Sequence, residues 1–303
     1  MSTDQTPTHQ PSPTWLVAIN PTAGRRAMTG ARVAAALAEN GIDAQIEVLP
    51  DAAAMSGLVA GLGASDHLAV VGGDGTVNLA VNALIETGRR DLPVLGVLPA
   101  GSGCDLLRTF GIPQDVEGAA RHLAGEATYL SDVGELTGSF GTRRFINIAQ
   151  AGVGAAAAET ASRLPRRLGS NRYLAGFGIR LARFPEGEVE LITERRSHRG
   201  RALAVIMANA QFFAGGWNIA PKAMMVDGEF DLQVIDATKL TAPALVPRFV
   251  KGLHLGLPGV RRFAAPWFRL ETQHPWPVEV DGDSIGNTPI EGRVLPAAIR
   301  LKI

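Results

Sequence analysis

Hydrophobic residues in the first hundred positions fall into short unbroken runs separated by amphipathic stretches. Trp15–Ile19 is such a run and ends in Asn20-Pro21-Thr22-Ala23-Gly24; Arg32–Glu39 is rich in Ala and Leu and stops at Asn40-Gly41. Short apolar runs bounded by turn residues predict buried strands, and Asn-Gly after an Ala/Leu stretch predicts a helix end. The alternation continues with a strand at Ala44–Leu49, a helix at Ala52–Gly63, a strand at His67–Val71, a helix at Val77–Glu86 and a strand at Val94–Leu98. Strands alternating with helices predict a parallel sheet covered on both faces, a three-layer α/β domain.

From about residue 130 the pattern changes. Tyr129–Leu136, Arg143–Ala149, Gly187–Thr193, Ala202–Ala208, Phe230–Ile235, Phe268–Glu271 and Pro277–Val280 are short apolar or alternating runs between Gly, Pro and charge. They predict a mostly β domain, with helices at Ala155–Arg183 and Ala242–Leu253. The closing run Ala297–Ile303, after Leu295-Pro296, is expected as a strand that returns to the first domain. The expected division is a disordered, Pro-rich tail over 1–13, an α/β domain over 14–130 plus 294–303, and a β-rich domain over 131–293.

The 303 residues suffice for two cores. The formal charge is zero, so no overall field draws the chain to nucleic acid. Its single cysteine, Cys104, excludes an internal disulfide and a cysteine-based zinc cluster. No apolar stretch reaches the roughly 20 residues that span a bilayer, and the N-terminus lacks the order of a signal peptide. A cytoplasmic location is expected.

The candidate chemistry lies where strands end. Gly72-Gly73-Asp74-Gly75-Thr76-Val77-Asn78 follows the third strand and opens a helix. Glycines there let backbone N–H groups approach a ligand closely, and a helix N-terminus suits phosphate. The loop matches neither standard nucleotide fingerprint, so it is a different phosphate cradle. Asn20–Gly24 and Pro99-Ala100-Gly101-Ser102-Gly103 leave neighbouring strands on the same edge, where ligands gather in parallel sheets. Each alone reads equally as a turn. Two acidic turns follow, Met224-Met225-Val226-Asp227-Gly228-Glu229-Phe230-Asp231 and Val280-Asp281-Gly282-Asp283, either of which is also a hairpin signal of the Asp-Gly type. Carboxylates together with phosphate-type loops are the ingredients of metal-assisted phosphoryl transfer.

The ordered set Asn20-Pro21…Gly24, Gly72–Asn78, Leu98-Pro99-Ala100-Gly101-Ser102-Gly103-Cys104-Asp105, Ala208-Asn209…Ala214-Gly215-Gly216…Ala220-Pro221…Asp227-Gly228…Asp231, Val280–Asp283 and Leu295–Ala298 resembles the diacylglycerol kinase catalytic-domain family, especially its soluble bacterial lipid kinases. The resemblance implies an N-terminal α/β domain of the NAD kinase and diacylglycerol kinase type, with a C-terminal β-sandwich and an active site in the cleft between them. It implies an ATP- and Mg²⁺-dependent lipid kinase, with diacylglycerol as the default acceptor and phosphatidic acid as product. ATP would lie along Asn20, Pro21, Gly24, Gly72, Gly73, Asp74, Gly75, Thr76, Asn78, Gly101 and Ser102. Asp74 would join the phosphate and Mg²⁺ network, Asp283 would be the general base, and a structural Mg²⁺ would be held by Asp227 with the main-chain carbonyls of Met224 and Glu229.

The chain departs from the family pattern at four places, one being the end of the second strand, where the usual threonine is replaced around Leu49-Pro50. Asp283 stands where Glu is usual, Cys104 where Asn is usual, and Gly154 where an acidic residue is common. The alternative functions are an NAD kinase-like small-molecule kinase and a non-catalytic lipid-binding or regulatory homologue. Basic and aromatic residues mingle over Arg248–Leu270 (Arg248, Lys251, Arg261, Arg262 and Arg269 with Phe249, Leu253, Leu255, Phe263, Trp267 and Phe268) and around Tyr173 (Arg163, Arg166, Arg167 and Arg172). They suit either peripheral contact with an anionic membrane or an ordinary solvated rim. The expected partners are a lipid substrate and, as a candidate, a second copy of the chain.

Overall fold

Continuous apolar runs become central strands here because they are covered on both faces. The computed structural model describes residues 14–21, 29–49, 51–89, 91–100, 104–169 and 171–303, with Arg166 described by its backbone only. The tail expected over 1–13 lies outside these residues, as do Gly24, Gly101 and Ser102. In chain order β1 (Trp15–Ile19), α1 (Gly30–Ala38), β2 (Ala44–Val48), α2 (Ala52–Ala60), β3 (His67–Gly72), α3 (Asp74–Glu86) and β4 (Val94–Pro99) alternate, followed by α4 (Asp105–Thr109) and α5 (Val116–Ala124). The strands pair in parallel in the order β2-β1-β3-β4. Helix α1 packs with α5, and α2 with α3, so the inner strands β3 and β4 are buried almost throughout. This is the expected α/β domain.

The second half holds β5 (Thr128–Gly138), β6 (Gly141–Phe145), β7 (Ile148–Gly152), α6 (Val153–Arg163), α7 (Asn171–Leu181), β8 (Gly187–Thr193), β9 (Ser197–Ala202), β10 (Ala204–Ala208), β11 (Phe230–Ile235), α8 (Ala242–Lys251), β12 (Val260–Ala265), β13 (Trp267–Thr272), β14 (Pro277–Val280), β15 (Asp283–Asn287) and β16 (Ile290–Lys302). One sheet runs β12-β11-β10-β7-β14-β15. Its inner face meets β5, β8 and β13 in a sandwich, where the Phe230 ring lies 5.6 Å from Phe145 and 5.5 Å from Phe268.

Three expectations change in detail. The single helix expected over Ala155–Arg183 is two, α6 and α7. Leu164 turns extended ahead of Pro165, whose ring removes a donor and disfavours helix in the residue before it. The strand expected over Arg143–Ala149 breaks between β6 and β7. Strands β9 and β12 escaped notice because their Arg-rich sequences, SHRGRA and VRRFAA, hide their alternation.

Strand β16 joins the two halves. Strand β5 covers one of its edges from Ile290 to Lys302, with a register shift between Leu295 and Ile299. Its other edge pairs with β13 over Ile290–Arg293 and with β4 at Arg300 and Leu301. At the shift Ala297 takes a left-handed φ of 50°, and its N–H donates to Asp132 Oδ1 at 2.8 Å. The other oxygen of that buried carboxylate accepts from Gly228 N at 2.7 Å, so Asp132 ties the Leu295–Ala298 motif to the Asp227-Gly228 turn.

The seam is tightly packed. A Cβ on Gly134 of β5 would lie 2.3 Å from the Phe145 ring. Gly134→Ala is therefore expected to lower unfolding stability by about 1–3 kcal/mol. A urea unfolding curve checks this, and an unshifted midpoint would contradict the packing account.

Candidate active site

Three loops leave adjacent strand ends, because β1, β3 and β4 are neighbours in the sheet. Asn20 N donates to Val71 O at 3.2 Å and Ala100 N to Gly72 O at 3.0 Å, which registers the outer loops on the central one. Asn20 Nδ2 donates to Thr76 Oγ1 at 3.0 Å, and Pro21 is exposed beside it. A Cβ on Gly72 would lie 2.3 Å from Thr76 Oγ1, so this position tolerates only glycine while Thr76 packs against it. Gly73 is the N-cap of α3 and supplies no side-chain cap, while a Cβ on the exposed Gly75 would meet nothing within 4 Å. Thr76 N and Val77 N donate to Gly73 O, which among the described residues leaves the Asp74 and Gly75 amides without an acceptor in the helix, beside the open space at Gly75. That geometry fits a phosphate.

Asp74 opens α3 and reaches across to α4. Its Oδ1 accepts from Leu106 N at 3.1 Å, Asn147 Nδ2 at 3.0 Å and Cys104 Sγ at 3.3 Å, and its Oδ2 accepts from Asp105 N at 3.0 Å. Helix α4 has no cap of its own, so Asp74 caps it from another element. Among the described residues Oδ2 takes a single donor, which leaves acceptor capacity for a cation. The Cys104 thiol is pushed up by burial and by the Asp74 charge, which keeps it a neutral donor. Asp105 is also buried. Its Oδ2 accepts from Gly215 N at 2.8 Å and its Oδ1 from Arg108 Nη1 at 2.9 Å, which brings the Ala214-Gly215-Gly216 loop to the cleft.

The Asp281-Gly282 pair is a tight hairpin between β14 and β15, with left-handed φ values of 46° and 99°. The Asp281 carboxylate accepts from Ile146 N at 2.8 Å, from Asn147 N and Ile148 N at 3.0 Å each, and from Asn78 Nδ2 at 3.0 Å. These amides turn toward Asp281 where β6 breaks from β7, which explains the break. Asn78 also donates to Arg144 O at 3.1 Å, so its amide binds the second half of the chain and not the loop beside it. Burial raises Asp281 to about 6 against the pull of its backbone donors. Asp283, next in the hairpin, is exposed.

The three residues implied for a structural Mg²⁺ share one turn. Asp227 Oδ1 accepts from Glu229 N at 3.1 Å, and the Glu229 carboxylate is taken by Arg195 Nη2 at 2.8 Å. Among the described residues no three His, Cys, Asp or Glu side chains gather as a metal cluster. One carboxylate with two main-chain carbonyls is nonetheless an all-oxygen donor set of the kind Mg²⁺ takes alongside water.

Sequence reasoning missed a second feature of the β domain. An apolar cavity lies over the outer face of the six-stranded sheet under α7 and α8, lined by Val153, Phe177, Ile206, Trp217, Leu245 and Phe249 among others. Its polar lining is Gln150, with the Tyr173 hydroxyl beside it. Gln150 stands opposite Glu279 across β7 and β14, and its Nε2 donates to Glu279 Oε2 at 2.7 Å. Burial raises the fully buried Glu279 to about 8, with Asp281 and Asp283 adding to the rise against its two hydrogen bonds. The sequence Val278-Glu279-Val280 reads as alternating with Glu toward solvent, yet helices cover that face too.

The basic–aromatic segments divide. Arg262 is committed to Asp231, Arg269 to Glu271 and Arg163 to Glu159, while Phe268 and Tyr173 are buried. Leu168, Leu174, Ile179, Val250 and Leu253 are exposed around α7 and α8, near Arg167, Arg172, Arg248 and Lys251. No helix among the described residues is long and apolar enough to cross a membrane.

Residues 14–136 match the family model described as the diacylglycerol kinase catalytic domain, and residues 147–303 match the YegS C-terminal NAD kinase beta sandwich-like domain. The chain is similar to the lipid kinase YegS of Escherichia coli (strain K12), with 29% identity over 234 residues that make up 77% of this chain and 76% of the relative. A crystal structure of a diacylglycerol kinase from Bacillus anthracis str. Sterne superposes with a TM-score of 0.71 at 19% identity, covering 95% of this chain and 96% of that one. A second crystal structure from that strain gives a TM-score of 0.76 at 22% identity with the same coverage. At such identities these two likenesses speak for the fold.

The Glu279 proton has a stability consequence. Between its ordinary value of 4.5 and about 8 the native chain holds a proton that the unfolded chain has released. Stability therefore falls as pH rises through that window, and Asp281 adds the same sign between 3.8 and about 6. The thermal midpoint is expected to drop from pH 5.5 to pH 8.5, and Glu279→Gln to flatten the drop; an equal slope in both proteins would contradict it.

Proposed function

We propose that this chain, which belongs to the diacylglycerol kinase catalytic-domain family of lipid kinases, transfers the γ-phosphoryl group of ATP to the hydroxyl of a chain-bearing lipid, with diacylglycerol as the default acceptor. One observation carries this reading: Asn78 of the glycine-loop helix holds Asp281 of the Asp281–Asp283 hairpin at 3.0 Å. A phosphate cradle and a candidate base are thereby fixed to one another across the cleft. Nucleotide binding is assigned to 14–130 plus 294–303 and acceptor binding to 131–293; the two cores interlock across that division, with Val133, Ile146, Ala210 and Met225 packing in the first and Val294 in the second.

In this reading the amides at the start of α3 cradle the phosphates, and Asn20 with Thr76 shapes the cradle's side. The family resemblance adds Gly24, Gly101 and Ser102, which lie outside the described residues, to the nucleotide-binding set. Asp74 holds α4 in place and offers Oδ2 to the metal–phosphate network. Mg²⁺ would neutralise the charge that develops on the transferred phosphoryl group. Asp283 takes the proton from the lipid hydroxyl, the alkoxide oxygen bonds to the γ-phosphorus, and ADP leaves. The shorter Asp at this position is compensated by the hairpin, which pins its backbone. A second Mg²⁺ at Asp227, Met224 O and Glu229 O would hold the turn that Asp132 anchors. The apolar cavity supports an acceptor with an acyl chain, and the exposed apolar residues of α7 and α8, ringed by Arg and Lys, support peripheral contact with an anionic membrane.

Transfer of labelled phosphate from ATP to dispersed lipids tests the reading. Asp283→Ala is expected to lower kcat by about 10²–10⁴-fold with ATP affinity unchanged. Full turnover in that variant would remove Asp283 from the chemistry, and no transfer by the unaltered protein to any lipid would remove the function.

A further inference from the structure

One buried hydrogen-bonded chain runs from the apolar cavity to the hairpin. The Tyr173 hydroxyl donates to Gln150 Oε1 at 3.4 Å, Gln150 Nε2 donates to Glu279 Oε2 at 2.7 Å, and Gly282 N donates to Glu279 Oε1. Tyr173 is 8% exposed, Gln150 1% and Glu279 0%. Phe213 and Trp217 clamp the Tyr173 ring edge-on at 5.1 and 5.2 Å, and Trp217 itself lines the cavity. A Cβ at Gly154 would lie 2.0 Å from Gln150 Oε1 and 3.2 Å from the Tyr173 hydroxyl. The glycine at 154 is therefore what leaves room for the chain to pass.

We propose that Glu279 is a positioning residue of the phosphotransfer site, which fixes the Asp283 hairpin through Gly282 and couples its placement to occupancy of the apolar cavity through Gln150 and Tyr173. The inference rests on the lipid kinase reading above. Asp281 is anchored from outside by the amides of 146–148, whereas Gly282 is anchored from inside by Glu279, so the two together define where Asp283 begins. Removing the Glu279 carboxylate leaves the buried Gln150 amide without its acceptor, which costs more than the bond itself contributes, and releases Gly282 N.

The links between neighbours hold in both protonation states, reversed in direction. With Glu279 charged, Gln150 donates to it and accepts from Tyr173. With Glu279 protonated, as burial favours at neutral pH, rotation of the Gln150 amide lets its oxygen accept from the carboxyl while its NH₂ meets the Tyr173 oxygen. The groups facing Glu279 are Asp281 and Asp283 on its own hairpin, Gln150 on β7 and the Tyr173 phenol on α7. A chain entering the cavity presses on Tyr173 and Trp217, and the hydrogen-bonded path from Tyr173 leads through Gln150 and Glu279 to Gly282.

The test compares Glu279→Ala, Glu279→Gln and Tyr173→Phe with the unaltered full chain. The readouts are amide hydrogen exchange of 281–287 and steady-state transfer from ATP to a short-chain diacylglycerol in mixed micelles. Glu279→Ala is expected to speed exchange of 281–287 by about tenfold or more and to lower kcat by about 10- to 100-fold, with KM for ATP unchanged. Glu279→Gln mimics the protonated carboxyl and is expected to restore both to within about twofold. Tyr173→Phe is expected to raise KM for the acceptor by roughly two- to tenfold, the worth of one modest hydrogen bond, with ATP kinetics unchanged.

The proposal is overturned if Glu279→Ala leaves exchange and kcat alone, if Glu279→Gln behaves as Glu279→Ala, or if exchange quickens evenly along the whole chain. An unchanged acceptor KM in Tyr173→Phe removes the coupling to the cavity. Should the unaltered protein transfer no phosphate to lipid, the kinase reading fails, while the exchange data still decide whether Glu279 holds the hairpin.

Discussion

The arrangement of the cleft depends on Asn147. Its side chain donates to Asp74, its backbone N–H donates to Asp281, and its carbonyl accepts from Asn209 N and Ala210 N at 2.9 Å each. Asp281 in turn is held by Asn78, one turn along α3 from Asp74. These bonds close a ring, Asp74–Asn147–Asp281–Asn78, that stitches the glycine-loop helix to the β-sandwich. Two carboxylates in such a place would repel one another and resist burial. Each is stabilised by several N–H donors, which is what makes a buried or half-buried carboxylate tolerable.

The ring needs a stiff support, and β5 with β16 provides it. Both strands run the length of the seam, and β16 pairs with strands of both halves. Where a straight strand would overshoot, Leu295–Ala298 shifts the register, and Asp132 compensates the strained Ala297. The same Asp132 holds the turn before β11, so the Asp227-Gly228 motif and the Leu295–Ala298 motif meet in space though about seventy residues apart in sequence. The sandwich is therefore not a separate lobe on a tether. Its hairpin reaches the phosphate cradle because β16 carries one ten-stranded sheet from the first half of the chain into the second.

The sequence made the architecture legible wherever burial was complete on both sides. Continuous runs such as His67–Val71 and Val94–Leu98 can form nothing else between Gly and Pro punctuation. Family motifs pointed to the glycine loop, Asp281–Asp283 and Leu295–Ala298. What stayed hidden were partnerships at long range. Asn78 reads as part of a phosphate loop yet bonds to a residue 203 positions away. Glu279 reads as solvent-facing because alternation reports one buried face, and here both are covered. Pro165 did carry its message, and the long helix expected across it was an error of ignoring a breaker.

The central claim is that the ring fixes cradle and hairpin as one unit. A double-mutant cycle on kcat with Asn78→Ala and Asp281→Asn tests it most directly, read as phosphate transfer from ATP to a short-chain diacylglycerol. The account predicts that the second substitution adds little once the first is present, a coupling of about 1–3 kcal/mol. Additive effects would mean that the two residues act apart, and would contradict it.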